Sequence, residues 1–280
     1  MEKLAGTNTI RAEHSEPNIM VEDMFKEVLQ AFCAFAIAIS VITCTSEAVA
    51  AENPSSYVPF VGCKSDGQSG PLSSPKSSPE PIALSSELAD QLAYYKAENG
   101  FGVLAPRGWY CFSTYGSNGS NLFVSPVPIN SRELFASDWK GFSGPAIQVS
   151  ISTGDTSGRF AVAKAVARVF PDRMDFVRDV IAEGIEPRGS FPTGPYPMDK
   201  LQRRGMDIVE FETPANTQGL GTQSQLLANS SPIHGLAILV GEELSLVQLS
   251  MRLPSRSTRA ERTIVERLEN EARRSQTEKR

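Results

Sequence analysis

Residues 233–253 read IHGLAILVGEELSLVQLSMRL, which is two apolar runs on either side of Gly241-Glu242-Glu243. The second run alternates apolar and polar side chains from Val247 through Leu249 to Met251. Such alternation is typical of a β-strand with one face in the core. Because only a short turn joins the two runs, the segment predicts a β-hairpin. The sheet is therefore expected to be antiparallel at this point.

The rest of the chain supplies further strands and helices around this hairpin. Four apolar or alternating runs predict strands: 101–106, 121–127, 146–152 and 201–213. Helical spacing of apolar residues predicts four helices: 84–95, 158–170, 172–183 and a last one that begins with Thr258 as its cap and Glu261 three residues later. The polar segments 187–197 and 214–231 are expected to be loops.

The order of these elements indicates the fold class. Strands grouped into hairpins, with helices in separate blocks, are typical of the α+β class. We therefore predict a mostly antiparallel sheet flanked by helices rather than a doubly wound parallel sheet. The predicted parts of the chain are an N-terminal extension with a signal peptide (1–50), an extended Ser/Pro/Gly-rich arm (51–86), the α+β domain (87–274) and a tail (275–280).

Two short motifs carry resemblances. The run FGVLAPRGW (101–109), a strand that ends in Pro-x-Gly-Trp and precedes a central helix, a late strand pair and a C-terminal helix, resembles the Mog1/PsbP-like fold. That resemblance implies a sandwich whose members mostly act as binding or assembly subunits, and it supplies no catalytic residue. The segments VPFVGCKSDGQSGPL (58–72) and APRGWYCFSTYGS (105–117) resemble parts of uncharacterised secreted bacterial proteins, without a known activity.

The first 50 residues predict export. An apolar stretch at 29–43 follows the positive charge of Lys26, and small residues at Ala48 and Ala50 suit cleavage near Ala50. The acidic residues before this stretch are unusual for a signal peptide, so translation starts at Met1, Met20 or Met24 in the three possible interpretations. We expect a secreted or periplasmic protein without a stable membrane span after cleavage.

Two other interpretations of the same stretch stay open. A membrane anchor needs about 20 apolar residues to cross the hydrocarbon core, and this run is shorter. A lipoprotein would carry its lipid on Cys44, although Thr43 is a poor residue to precede that processing site.

Two of the four cysteines, Cys63 and Cys111, remain after cleavage of the signal peptide. An even pair in an oxidising compartment predicts a disulfide. The alternative is two buried free thiols. The arm between 64 and 86 is rich in Ser, Pro and Gly and poor in aromatic residues, so we expect it to be extended rather than to fold on its own.

Charge restricts the class of partner. The whole chain has a formal net charge of −5, and residues 1–50 hold seven acidic and three basic side chains, so the remainder is close to neutral. A near-neutral chain lacks the field that binds nucleic acid or an anionic membrane surface. The partner is unknown from sequence, and an envelope protein or polymer is the expectation.

Catalytic chemistry has few candidate residues. The mature chain has one histidine, His234, beside an apolar strand, and no Gly-x-Ser-x-Gly elbow. One histidine and a bridged cysteine pair cannot form a zinc site, and we predict no cofactor. Hydrolysis through carboxylates would need two of them across a cleft. The acidic residues available for that role are Asp138, Asp155, Glu183, Asp207, Glu210 and Glu212.

Glu210 and Glu212 would share one face of a strand, a pattern that also fits a solvated face. The unusual aromatic group lies around Cys111 and consists of Trp109, Tyr110, Phe112 and Tyr115. Such residues can bind sugars or peptides, or they can pack in the core around the disulfide, as we expect for Trp109 above all.

The sequence therefore leads to three hypotheses about function. The first is a secreted or periplasmic, non-enzymatic binding or accessory protein with the aromatic group as a ligand surface. The second is a hydrolase of envelope polymer or peptide that uses carboxylates, and it requires an acidic cleft. The third is an inhibitor of a cell-wall-degrading enzyme, and it requires a protruding loop.

Overall fold

The structure is a computed structural model that describes residues 55–254 and 257–277. The predicted signal peptide, its cleavage site near Ala50 and residues 278–280 of the predicted tail lie outside this range. None of the helices within it is both long enough and apolar enough to cross a membrane.

The described chain folds into thirteen strands and five α-helices. The strands are β1 (Ser55–Tyr57), β2 (Phe60–Gly62), β3 (Lys64–Gly67), β4 (Ala83–Ser85), β5 (Leu92–Lys96), β6 (Val103–Pro106), β7 (Tyr110–Gly116), β8 (Gly119–Ser125), β9 (Ala146–Ser152), β10 (Lys200–Arg203), β11 (Ile208–Thr213), β12 (Ile233–Val240) and β13 (Ser245–Arg252). The helices are α1 (Ser86–Gln91), α2 (Ser131–Leu134), α3 (Arg159–Val169), α4 (Met174–Ala182) and α5 (Thr258–Thr277).

One large sheet dominates the fold. Its eight strands lie in the order β10-β11-β12-β13-β9-β8-β7-β3. All neighbours are antiparallel except β3 and β7. The predicted hairpin is confirmed as β12 and β13, whose register pairs Leu236 with Leu249. A mixed α+β fold with a mostly antiparallel sheet is therefore what the chain forms.

Each face of the large sheet has its own apolar core. On the first face, β12 and β13 contribute Leu236 and Leu249, which pack with α5 and with the small sheet β2-β5-β6. On the second face, Ala237 of β12 and Leu246 of β13 pack with α3 and α4. The alternation of side chains along a strand produces this division, because odd and even positions point to opposite faces.

Part of the second face is polar and is covered by the 214–231 segment. Gln148 and Gln248 are buried there on adjacent strands. The Gln225 N–H donates to Gln148 Oε1 at 2.7 Å, and Gln248 Nε2 donates to the Leu220 carbonyl at 3.2 Å. Buried amides must find partners, so these bonds hold the segment against the sheet. The segment 214–231, which was predicted as a loop, is therefore packed over this part of the sheet.

The predicted helix 84–95 is wrong at both ends, before Ser86 and beyond Gln91, since Leu84 and Ser85 belong to β4. It is the short helix α1, and the chain continues at Leu92 as β5. Leu92, Ala93, Tyr94 and Tyr95 are all buried, because β5 lies between β2 and β6 in the small sheet. A strand with apolar residues on both faces has no period-two pattern to distinguish it from a helix.

Two other predictions need correction. The single strand 201–213 is a hairpin of β10 and β11, with Gly205 at φ +73° in the turn and Met206 exposed. A positive φ is readily adopted by glycine. At the start of α5, it is Ser257 rather than Thr258 whose hydroxyl accepts a backbone N–H, from Ala260 at 3.4 Å.

The segment that the sequence marks as an extended arm contains β1 to β4. Strand β2 pairs in parallel with β5, and β3 pairs in parallel with β7. Between β2 and β3, Cys63 forms a disulfide with Cys111 on β7. The predicted bridge is therefore confirmed, and it fixes the arm where it passes from the small sheet to the large one.

Candidate functional site

A cavity of ligand size forms a groove on the first face of the large sheet. Its volume is about 560 Å³, and its walls are β10 to β12 and the first half of α5. Ligand pockets of small molecules commonly measure about 300 to 1,000 Å³. Eight of its lining residues have ionisable side chains: Lys200, Arg204, Glu210, Glu212, His234, Glu261, Arg262 and Glu266. We call this cavity the charged groove.

Strand register places one row of these side chains side by side. Lys200 pairs with Glu212, and Glu212 pairs with His234 across β10, β11 and β12. Lys200 Nζ lies 2.8 Å from Glu212 Oε1, and His234 Nδ1 lies 3.8 Å from Glu212 Oε2. The Glu212 carboxylate is thus held between a lysine and an imidazole.

A second set of ion pairs lies farther along β11. Arg204, which follows β10, lies 2.5 Å from Glu210 Oε1 and 2.7 Å from Glu269 Oε2 on α5. Glu269 is buried and also pairs with Arg273 at 2.8 Å. Since breaking a buried ion pair leaves an uncompensated charge, this set ties α5 to the sheet beside the groove.

The α5 wall carries charges of a different kind. Glu261, Arg262 and Glu266 of α5 all line the groove, and Arg262 and Glu266 are one helical turn apart. None of the three side chains forms an ion pair with another described residue. As far as the described residues extend, the groove therefore has charges of both signs without ion pairs on α5, and ion-paired charges on the strands.

Within residues 55–254 and 257–277, no group of three or more His, Cys, Asp or Glu residues is placed so that it could hold a metal ion. The groove can instead form charge-assisted hydrogen bonds with a polar ligand. Such bonds are shorter and stronger than those between neutral groups.

The structure brings together only two of the carboxylates that the sequence offers for hydrolysis. Glu210 and Glu212 both line the charged groove, as expected for alternate positions of one strand. Glu183 pairs with Arg159, and Asp207 pairs with Arg173, each at 2.7 Å and outside the groove lining. Asp138 and Asp155 are exposed on other segments.

The aromatic group around Cys111 is divided between two faces. Tyr110 and Phe112 lie on one side of β7, whereas Cys111 and Tyr115 lie on the other, because neighbouring side chains in a strand alternate. Tyr110 is exposed and Phe112 is buried. Trp109 is half-buried against the first core, and its backbone N–H donates to the Tyr95 hydroxyl at 3.1 Å.

Tyr115 makes a structural contact at the arm. Its hydroxyl donates to the Gly70 carbonyl at 2.6 Å, which holds the arm against β7. Of the four aromatic residues, Tyr110 is thus the one whose side chain extends into solvent. A ligand surface that includes all four stays a prediction, and the four side chains do not lie on one continuous face.

Comparisons with known proteins add no relative. The chain matches no protein-family model. It matches no curated protein and no solved structure.

Proposed function

We propose that this chain is an exported, non-enzymatic binding protein whose ligand occupies the charged groove. The observation that carries the proposal is a set of α5 charges, Glu261, Arg262 and Glu266, that have no ion-pair partner among the described residues and line a cavity of ligand size. Charged side chains gain by meeting opposite charge on a ligand. The ligand class that fits is a short peptide with a free ammonium group and a free carboxylate.

The two signs of charge assign the two ends of such a peptide. Glu261 and Glu266 would accept hydrogen bonds from the ammonium group, and Arg262 would donate to the carboxylate in the planar geometry that guanidinium favours. The strand wall contributes little net charge, because Lys200 and Arg204 already pair with Glu212 and Glu210. Specificity would therefore depend mainly on α5.

Two further features support export and an accessory role. Disulfides persist in oxidising compartments, and Cys63 and Cys111 form one. The large sheet with helices on both faces is the kind of architecture expected of a Mog1/PsbP-like sandwich, whose members mostly bind or assemble. We propose that relationship for the domain.

The binding proposal can be tested by calorimetry with a matched set of probes. The probes are the dipeptide Ala-Ala, its N-acetyl form, its C-terminal amide and the neutral disaccharide N,N′-diacetylchitobiose. We expect the free dipeptide to bind most tightly, because each capped form loses one charged contact. Removing one charge-assisted contact costs about 1.5 to 3 kcal/mol, so we expect affinity to fall about 10- to 150-fold in R262Q and in E266Q.

Matched substitutions outside the groove serve as controls. E242Q and R188Q change exposed residues of the same types and should leave the affinity unchanged. Equal affinity for all three peptide forms would contradict the peptide class. Preference for the disaccharide would retain a binding protein with a different ligand, and no binding by any probe would count against the groove as the ligand site.

A second candidate function is supported by the row Lys200, Glu212 and His234. A carboxylate beside an imidazole in a groove is an arrangement that hydrolases use to orient a base. The same probes test it when incubated with the protein and examined by mass spectrometry. Release of free alanine or of N-acetylglucosamine by the wild type, and its loss in E212Q, would favour the hydrolase.

Export has its own measurement, the intact mass of the protein recovered from its native host. We expect the chain to begin near Ala51 and to accept alkylation at two cysteines only after reduction. An uncleaved chain with four alkylated cysteines before reduction would contradict export. Cleavage without a bridge would retain export and contradict the assignment of an oxidising compartment to the folded domain.

A further inference from the structure

A second cavity lies beside the end of β8, where Ser125 pairs with Tyr110 of β7, and its lining is mainly apolar. Its volume is about 230 Å³, and its walls come mainly from the 125–145 segment. Trp139 and Phe142 line it with their rings 5.4 Å apart in an edge-to-face arrangement. Both also contact Phe123 of β8, at ring distances of 6.3 and 5.8 Å. The aromatic cluster therefore gives the cavity a rigid base.

Exposed apolar side chains surround this cavity. Val127 lines it and is 65% exposed, and Phe135, next to the lining residue Leu134, is 59% exposed. Leu227 is 37% exposed and its N–H donates to the Phe142 carbonyl. Tyr110, 51% exposed, pairs in register with the lining residue Ser125. We call Tyr110, Val127, Phe135, Trp139, Phe142 and Leu227 the apolar patch.

Clustering distinguishes these side chains from ordinary surface residues. Single exposed apolar residues are normal, but a contiguous group around an aromatic pocket is typical of a protein interface. Half of the eight large apolar residues reported as exposed in the described chain belong to this one patch. The patch is separate from the charged groove, and no residue lines both cavities.

We propose that the apolar patch binds a second copy of this chain. The exposed charges on the 125–145 segment balance in number, since it carries Arg132 and Lys140 together with Glu133 and Asp138. None of these four side chains forms an ion pair with another residue in the described ranges. All four are therefore available to a partner surface.

A two-fold dimer makes use of this arrangement. In such a dimer the same patch faces itself, so each positive group can meet a negative group of the other copy. A partner with a strong net charge would leave half of these side chains opposite like charge, which disfavours association. Phe135 and Val127, the most exposed members, would become buried at the centre.

The test is sedimentation velocity of the mature, disulfide-bonded chain over a range of concentrations. We expect a reversible monomer–dimer equilibrium in the wild type. F135D and V127D place a charge in the interface, so each should raise the dimer dissociation constant at least tenfold. I185D and M198D change residues of similar exposure outside the patch and should leave the dissociation constant unchanged.

Circular dichroism of each variant checks that the fold is retained. We expect that it is, because Val127 and Phe135 are exposed. A wild type that stays monomeric at every concentration would overturn the proposal and leave the patch to another partner. A dimer that F135D and V127D do not weaken would overturn it too, because the interface would then lie elsewhere.

Discussion

Replacing both cysteines in C63A/C111A is expected to lower the free energy of unfolding by about 4 kcal/mol. The bridged residues are 48 positions apart in sequence, and the chain-entropy description assigns that value to a loop of this length. Alanine is preferred to serine because Cys63 is buried, and a buried hydroxyl would add a cost of its own. A loss of this size is a large fraction of the stability of a typical domain.

Urea denaturation followed by circular dichroism measures this effect. The wild type in reducing buffer is the matched control, and it should unfold at nearly the same urea concentration as the double variant. A loss below about 1 kcal/mol would mean that the unfolded chain gains little freedom when the bridge is removed, contrary to the entropic description.

Leu249 to alanine is expected to lower the free energy of unfolding by about 3 kcal/mol, within the usual range for a buried leucine. Leu249 is fully buried in β13, where its neighbours in register are Leu236 on β12 and Val149 on β9. Its side chain belongs to the first core, which packs against α5. The substitution leaves a cavity that the surrounding strands fill only partly.

The control for this prediction is I185A, which shortens an exposed side chain. It should change stability by less than about 0.5 kcal/mol, as surface substitutions usually do. Comparable losses in L249A and I185A, measured by urea denaturation, would contradict the assignment of β13 to the centre of the core.

Local patterns predicted the elements that carry a signal of their own. The hairpin of β12 and β13 was predictable because a polar turn separates two apolar runs and the second run alternates, although both strands are buried on both faces and the turn extends to Leu244. Strand β5 was not predicted as a strand, since its pairing depends on β2, which lies some thirty residues earlier. The hairpin between β10 and β11 was missed because one apolar residue in its turn, Met206, continued the strand pattern.

Only part of the charged groove was predictable from the sequence. Period two placed Glu210 and Glu212 on one face of a strand, and the register of β11 agrees. The charges of α5 could not be assigned to the groove, because the contact between a helix and a distant strand depends on the packing of the whole sheet. Lys200 and Arg204 were overlooked for the same reason, since they meet the glutamates only across the β10–β11 hairpin.

The most direct test of the proposed ligand site is a titration of ¹⁵N-labelled protein with Ala-Ala, followed by NMR. We predict that adding dipeptide changes the amide chemical shifts of Lys200, Glu212, His234 and the α5 residues Glu261 to Glu266. We also predict that these changes are smaller in R262Q at the same dipeptide concentration. Shifts confined to residues outside the charged groove, or none up to saturating dipeptide, would contradict the proposal that the groove is the binding site.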